Sequence, residues 1–283
     1  MCHSNMFHSP VWSIAYPEDK TKRVHAMMSR SGYLVTHQIN SGMSFGIFDL
    51  EYKYKKPESA ATGGRLYWDE NDLDADAPKL LEQMDFPLCS VALAYDGINE
   101  LELPKMMPMI EMLPLFATVF QEMETIDLRD PASWKPKGPR EVLMRNATST
   151  RADYEGEGLM KKLAQWLMRQ AAEDGFRGVQ IECAHDAVTH VWLHPPEPFS
   201  AELLGKFDTA AYTLEDEEGK IIRPFREGRQ IITKIYVTLV SSLPHEVPCS
   251  LKNAELTQIF LIRITIFSKV RVVMERPSQV YVH

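Results

Sequence analysis

The residues able to do chemistry gather between Thr148 and His194. Gly156 and Gly158 stand directly before an apolar-periodic run that begins at Leu159. A helix N-terminus exposes unpaired backbone N–H groups and a partial positive charge. Glycine lets an anion approach such a backbone closely. The pattern is therefore a candidate phosphate cradle. It is not a Rossmann G-x-G-x-x-G, because Lys161 holds the third glycine's place, and it is not a P-loop. Further on, Glu182, His185, Asp186 and His190 cluster at the end of a predicted strand. These residue types can accept a proton from a substrate.

Each feature has a plainer reading. The two glycines can simply shape a tight strand–helix turn. His185 can be a surface histidine. His190 and His194 share a helix face, like paired zinc ligands, and with His185 would suit a metal-dependent hydrolase. They lack the glutamate of an H-E-x-x-H motif, and Pro195 follows directly. Asp72, Asp74 and Asp76 imitate the start of a calcium loop, but Ala77 and Gln83 stand where its glycine and glutamate belong. Tyr212 reads as a strand-face residue and Cys183 as a buried thiol. No metal site is expected.

The elements that must position these residues are legible from periodicity. Leu88–Tyr95 is a continuous apolar run closed by Asp96-Gly97, which predicts a buried strand. Glu141–Thr150 predicts a second strand. Leu159, Leu163 and Leu167 form one helical row, and Met160, Ala164, Met168 and Ala171 the next. Gly175 stands where a helix-ending glycine belongs. Val179, Ile181 and Cys183 alternate with polar residues, a half-buried strand. A short helix is expected over 185–194, then β-segments over 203–214 and 230–240. Tyr33–Tyr54 is rich in β-branched and aromatic residues and predicts one or two strands. Residues 55–87 read as loop with one short helix. Glu102–Thr125 has helical spacing broken or kinked by Pro108 and Pro114. The fold class is α/β (α+β). A domain is expected over 1–240, with a helical insert at about 98–139. Residues 241–283 read as a C-terminal extension that the domain does not need.

Composition narrows the function. The chain has 283 residues, 45% hydrophobic and 25% charged, as in an ordinary globular protein. Its formal net charge of −8 disfavours nucleic acid as a partner. No run is long and apolar enough to span a membrane, and no signal peptide is evident. The four cysteines show no C-x-x-C pairing, which fits a reducing compartment. A cytoplasmic location is expected; the oligomeric state is unread.

The segment Asp153-Tyr154-Glu155-Gly156-Glu157-Gly158-Leu159-Met160 resembles the acetyl-CoA loop of the GNAT superfamily, Q/R-x-x-G-x-G/A between a strand and a helix. The flanking strand, helix, terminal glycine and next strand follow the family's order. His185 and Trp192 align with its Asn…Tyr pair. The resemblance covers about residues 88–240. It implies a GNAT-like central mixed sheet flanked by helices, with a helical insert and an extra C-terminal tail. It further implies an N-acetyltransferase of fungal type, with acetyl-CoA as co-substrate, no metal and a small-molecule amine as acceptor. Cofactor binding would fall to Thr148, Ser149, Thr150, Glu155, Gly156, Glu157, Gly158, Leu159 and Met160, and catalysis to Glu182, His185 and Asp186. Lys161, Lys162 and Arg151 would restore positive charge near the loop. The departures are Glu155 for Gln/Arg, the added Glu157, Met160 for a small residue, and Trp192 for the tyrosine acid. The N-terminus is also short of the family's first strand and helix, as in a truncated product. These departures suit an alternative, a degenerate GNAT-like domain acting as an interaction protein.

Overall fold

The computed structural model describes residues 1–240 and, as backbone, 259–263. Its centre is a mixed, mostly antiparallel sheet flanked by helices. The strands are β1 (Phe45–Asp49), β2 (Leu88–Asp96), β3 (Val142–Thr150), β4 (Gly178–Cys183), β5 (Ser200–Asp208), β6 (Ile231–Thr238) and β7 (Ile259–Arg263). They lie in the order β7-β1-β2-β3-β4-β6-β5. Among the described residues only β3 and β4 run parallel. The main helices are α1 (Cys2–Phe7), α2 (Lys20–Arg30), α3 (Gly32–Asn40), α4 (Leu103–Met112), α5 (Pro114–Thr125), α6 (Leu159–Glu173) and α7 (Asp186–Leu193).

The helix α6 forms where the apolar rows predict. Leu163, Leu167, Met168 and Ala171 are fully buried, while Lys161, Lys162 and Arg169 face solvent. Each leucine contributes about 2 kcal/mol by leaving water. Gly175 takes φ +94° just past the helix end, a conformation that favours glycine. α6 and α7 pack on one sheet face, with Leu143, Val179, Ile181, Ile235 and Val237 beneath them. A second core on the opposite face joins Met6, Val24, Leu80, Val119, Met123, Phe225 and Ile232.

Three sequence expectations are corrected. Tyr33–Asn40 is helix α3, not strand. Leu34 and Gln38 are its buried residues, four apart, and Tyr33 stacks on His37 at 5.7 Å. Burial at helical spacing outweighs the β-propensity of the aromatic residues. Within 55–87 there are two short helices, Pro57–Thr62 and Ala77–Glu82, and a small ribbon of 65–66 with 84–85. Asp76 caps the second helix by accepting from Lys79 N at 2.9 Å, and Asp72 pairs with Lys79 at 2.6 Å. Finally, 241–283 does contribute an element: β7 pairs antiparallel with β1, Ile259 opposite Asp49 and Arg263 opposite Phe45. The rest of that extension lies outside the described residues. The insert 98–139 is helical as expected. α4 continues through Pro108, and the break falls at Leu113, ahead of Pro114 at the start of α5, where proline's missing N–H costs nothing.

Candidate active site

β3 and β4 pair in register only from Val142–Gly178 to Arg145–Ile181. Beyond Arg145 they separate. β3 continues to Thr150 against β2 alone, with Ala147 opposite Leu93 and Thr150 opposite Ser90. Asn146 is an extra residue in that ladder, a bulge. The bulge resets the alternation, so Arg145, Thr148 and Thr150 share the face of Ala94, Ala92 and Ser90. Among the described residues no strand pairs with the other edge of 146–150. Thr150 O on that edge accepts from Ser4 Oγ of α1 at 3.3 Å, so the backbone groups left to an extended ligand, as in strand addition, are those of 146–149.

The strand runs directly into the glycine loop. Gly156 and Gly158 adopt φ +86° and +70°, and an added Cβ at either would meet nothing within 4 Å. Gly158 is the N-cap of α6, with no side-chain cap bond. The first N–H groups of α6 have no intrahelical partner, and the backbone before them is open at Gly156 and Gly158. Glu155 and Glu157 are exposed, so neither carboxylate is driven into the cradle. Leu159 is buried and Met160 packs against the core, so these two offer only backbone. Tyr154 Oη donates to Asp49 Oδ2 at 2.7 Å and ties the loop to the end of β1.

Thr148 Oγ1 is buried without a hydrogen-bond partner among the described residues. Ser149 O accepts from Ser90 Oγ at 3.2 Å, and Thr150 Oγ1 meets Ser90 Oγ at 2.9 Å. A cavity of about 110 Å³ lies between α1 and the end of β3, lined in part by His3, Ser4, Val91 and Ser149. Arg151 does not serve the cradle as expected. It holds Asp153 through Nε (2.7 Å) and Nη2 (3.0 Å), donates to Phe86 O, and stacks on Tyr154.

Glu182 sits at the end of β4, opposite Lys234 of β6. Its neighbours Ile181 and Cys183 face α6, so Glu182 faces the other side, with Gln180 and Lys234. A polar network is built there. Arg129 holds Asp127 through Nε (2.9 Å) and Nη2 (2.7 Å), and Nη2 also donates to Gln180 Oε1 at 2.8 Å. Lys234 Nζ pairs with Asp127 at 3.0 Å. Gln180 Nε2 donates to Glu182 Oε1 at 3.4 Å. Burial pushes the Glu182 carboxyl above its ordinary range, against the pull of Lys234. Tyr95, on β2, is raised by burial and then by the Glu182 charge.

His185 is the N-cap of α7: its Nδ1 accepts from Ala187 N at 3.0 Å. Asp186 begins that helix, exposed, with its N–H on Gln230 Oε1 at 3.0 Å. Both lie at the mouth of the splay, but Nδ1 of His185 is committed to the cap. His185→Ala is expected to lower stability by about 1 kcal/mol, while His185→Asn restores the cap and the stability. Melting curves of the two variants check this; equal loss in both contradicts the capping role.

Trp192 is fully buried, and its Nε1 has no hydrogen-bond partner among the described residues. Tyr212 Oη donates to Glu122 Oε1 at 3.0 Å. Burial pushes the Cys183 thiol up to about 12, against the nearby Arg145 charge. His194 Nδ1 lies 2.7 Å from His190 O, and the two rings stack at 4.4 Å. Among the described residues no three His, Cys, Asp or Glu side chains form a metal-holding group.

Sequence reasoning missed Arg145, Tyr95 and the Asp127–Arg129–Lys234 network. The signal for Arg145 is a charged residue two places from Leu143, where strand alternation puts a core position.

No family model and no curated protein matches the chain. Among solved structures it is similar to arylalkylamine N-acetyltransferase 2 from Aedes aegypti, with 14% identity over 55% of this chain and 69% of that one, TM-score 0.42. It is also similar to a polyamine N-acetyltransferase from Drosophila melanogaster (11%, 69% and 100%, 0.33). A third is the C-terminal condensation domain of Ebony in complex with β-alanyl-dopamine (15%, 74% and 94%, 0.37). Scores below 0.5 carry no weight for function, which must be argued from the site.

Proposed function

We propose that this protein is a GNAT-type acyltransferase that moves an acetyl group from acetyl-CoA to an amine of a small molecule. The observation that carries the reading is the continuity of the parallel strand splay with the uncapped, glycine-opened start of α6. The open edge of 146–149 would bond the pantetheine arm, with Thr148 Oγ1 as an added donor. Gly156, Gly158 and the first N–H groups of α6 would hold the pyrophosphate, with Lys161 and Lys162 offsetting Glu155 and Glu157.

A backbone N–H of β3 would polarise the thioester carbonyl and stabilise its oxyanion. The amine nitrogen attacks that carbon, the C–S bond breaks, and the sulfur leaves as thiolate. Glu182 takes the amine's proton, directly or through one water. His185 and Asp186 border the mouth where the acceptor enters. Trp192, in the place of the family's tyrosine, has no acidic proton, so the thiolate collects its proton from solvent after release. The insert 98–139 covers the acceptor side. The location is cytoplasmic; among the described residues no helix is long and apolar enough to cross a membrane.

A second reading, a binding module without turnover, is favoured by the buried Trp192. A transfer assay with acetyl-CoA and a panel of small amines separates the two. Release of free CoA that depends on an amine supports the enzyme. Acetyl-CoA binding with no acetylated amine in any arm supports the module.

A further inference from the structure

Arg145 is 3% exposed, and its Nε and Nη2 have no hydrogen-bond partner among the described residues. Those two nitrogens form one edge of the guanidinium. The chain shows twice what that edge does when filled. In Arg129 the Nε and Nη2 pair grips both oxygens of Asp127, and in Arg151 the same pair grips both oxygens of Asp153. Arg145 presents the same bidentate edge with no carboxylate on it.

A buried guanidinium with unmet donors costs several kcal/mol of desolvation, and a planar anion is the group that fits it. Nothing nearby supplies one. Cys183 is a protonated thiol. Glu182 lies on the other sheet face, where its carboxylate accepts from Gln180 at 3.4 Å; its charge acts on Arg145 only through space. The guanidinium instead lies over the Trp192 ring at 5.6 Å. Two further buried groups on this face also lack partners, Thr148 Oγ1 and Trp192 Nε1. All three flank the point where β3 and β4 part, since Arg145–Ile181 is their last pair.

We infer that Arg145 is a carboxylate-binding residue and that one substrate of this protein carries a carboxylate that docks on its Nε/Nη2 edge, with Thr148 and Trp192 as neutral partners. The inference rests on the acyltransfer reading for where substrates lie. The carboxylate can belong to the acyl chain of the donor or to the amine, and the two sources are separable.

The experiment is calorimetric titration of the full chain with four probes: acetyl-CoA, succinyl-CoA, phenethylamine and phenylalanine. The last two differ by one carboxylate. Wild type, Arg145→Lys and Arg145→Met are compared. The expected result is a preference of about tenfold or more for one carboxylate-bearing probe over its partner. Arg145→Met abolishes the preference, and Arg145→Lys keeps part of it. Preference for succinyl-CoA places the carboxylate on the donor; preference for phenylalanine places it on the acceptor. Arg145→Met is expected to melt no lower than wild type, because it removes a buried charge without a partner. Should it not fold, Arg145→Lys carries the test. Acetyl-CoA binding with no carboxylate preference, or a preference unchanged by both variants, overturns the inference and leaves acetyl transfer standing. An Arg145-dependent preference for phenylalanine without any CoA binding upholds the inference and removes the acetyl-transfer reading. No binding of any probe overturns both.

Discussion

Glu182→Gln is expected to lower kcat/KM for acyl transfer by two to four orders of magnitude, roughly the contribution of a positioned general base, while acetyl-CoA affinity stays unchanged. The substitution keeps the side-chain length and an oxygen for the Gln180 hydrogen bond. It removes the carboxylate that takes the amine's proton in this mechanism. Burial holds the Glu182 carboxyl above its ordinary range, and Lys234 only partly counters it because that ammonium pairs with Asp127. A base must be deprotonated to act. Wild-type activity should therefore fall with a one-proton slope as pH drops through the raised Glu182 value, and the variant should lack that limb. Activity within a few-fold of wild type across the pH range would remove Glu182 from the mechanism and leave Asp186 or water as the acceptor of the proton.

Asp127→Ala is expected to destabilise the fold by about 3–5 kcal/mol, the effect of taking one partner from a buried ion pair. Both Arg129 and Lys234 lose their carboxylate at once. Lys234 and Asp127 side chains are each 5% exposed, so solvent screening offers little relief. At about 2–4 °C per kcal/mol for a domain of this size, the melting temperature should fall by about 6–20 °C. The pH dependence follows in sign. Burial alone would raise the Asp127 carboxyl, but its hydrogen bonds from Arg129 and Lys234 hold it well below the usual range. A depressed folded value means the stabilisation is fully present above the ordinary carboxylate pKa of about 4. It is lost as pH falls from there through the folded value. Asp127→Asn should flatten that acid limb. A melting temperature within 2–3 °C of wild type in Asp127→Ala would show that the insert is not anchored to the sheet by this pair.

Parts of this architecture are written locally and parts are not. The rows on α6, the apolar run of β2, the alternation of β4 and the position of Gly175 each lie within a dozen or so residues, so periodicity exposes them. The glycine loop is equally local, and Gly156 and Gly158 sit open at the start of α6 as their spacing implies. Helix α3 was not legible, because Tyr33, Val35, Thr36 and Ile39 favour strands and only tertiary burial of Leu34 and Gln38 decides the matter. The bulge at Asn146 depends on the register against β2, which no local pattern specifies. The Asp127–Lys234 pair joins the insert to β6, and β7 meets β1 from the far end of the chain. Such contacts are set by topology. The free edge of Arg145 is of the same kind: its residue type is in the sequence, but its lack of a partner is a property of the fold.

The central claim is that the loop at Gly156–Gly158 holds the phosphates of acetyl-CoA, and calorimetric titration of acetyl-CoA into wild type and Gly158→Trp tests it most directly. Gly158 has φ +70° with open space around its Cα, so a side chain there is strained by about 1–2 kcal/mol but does not clash with the fold. The indole would stand where the pyrophosphate must approach the backbone. Saturable binding by wild type and none by a folded Gly158→Trp are expected; equal affinity in both, or no binding by either, contradicts phosphate binding at this loop.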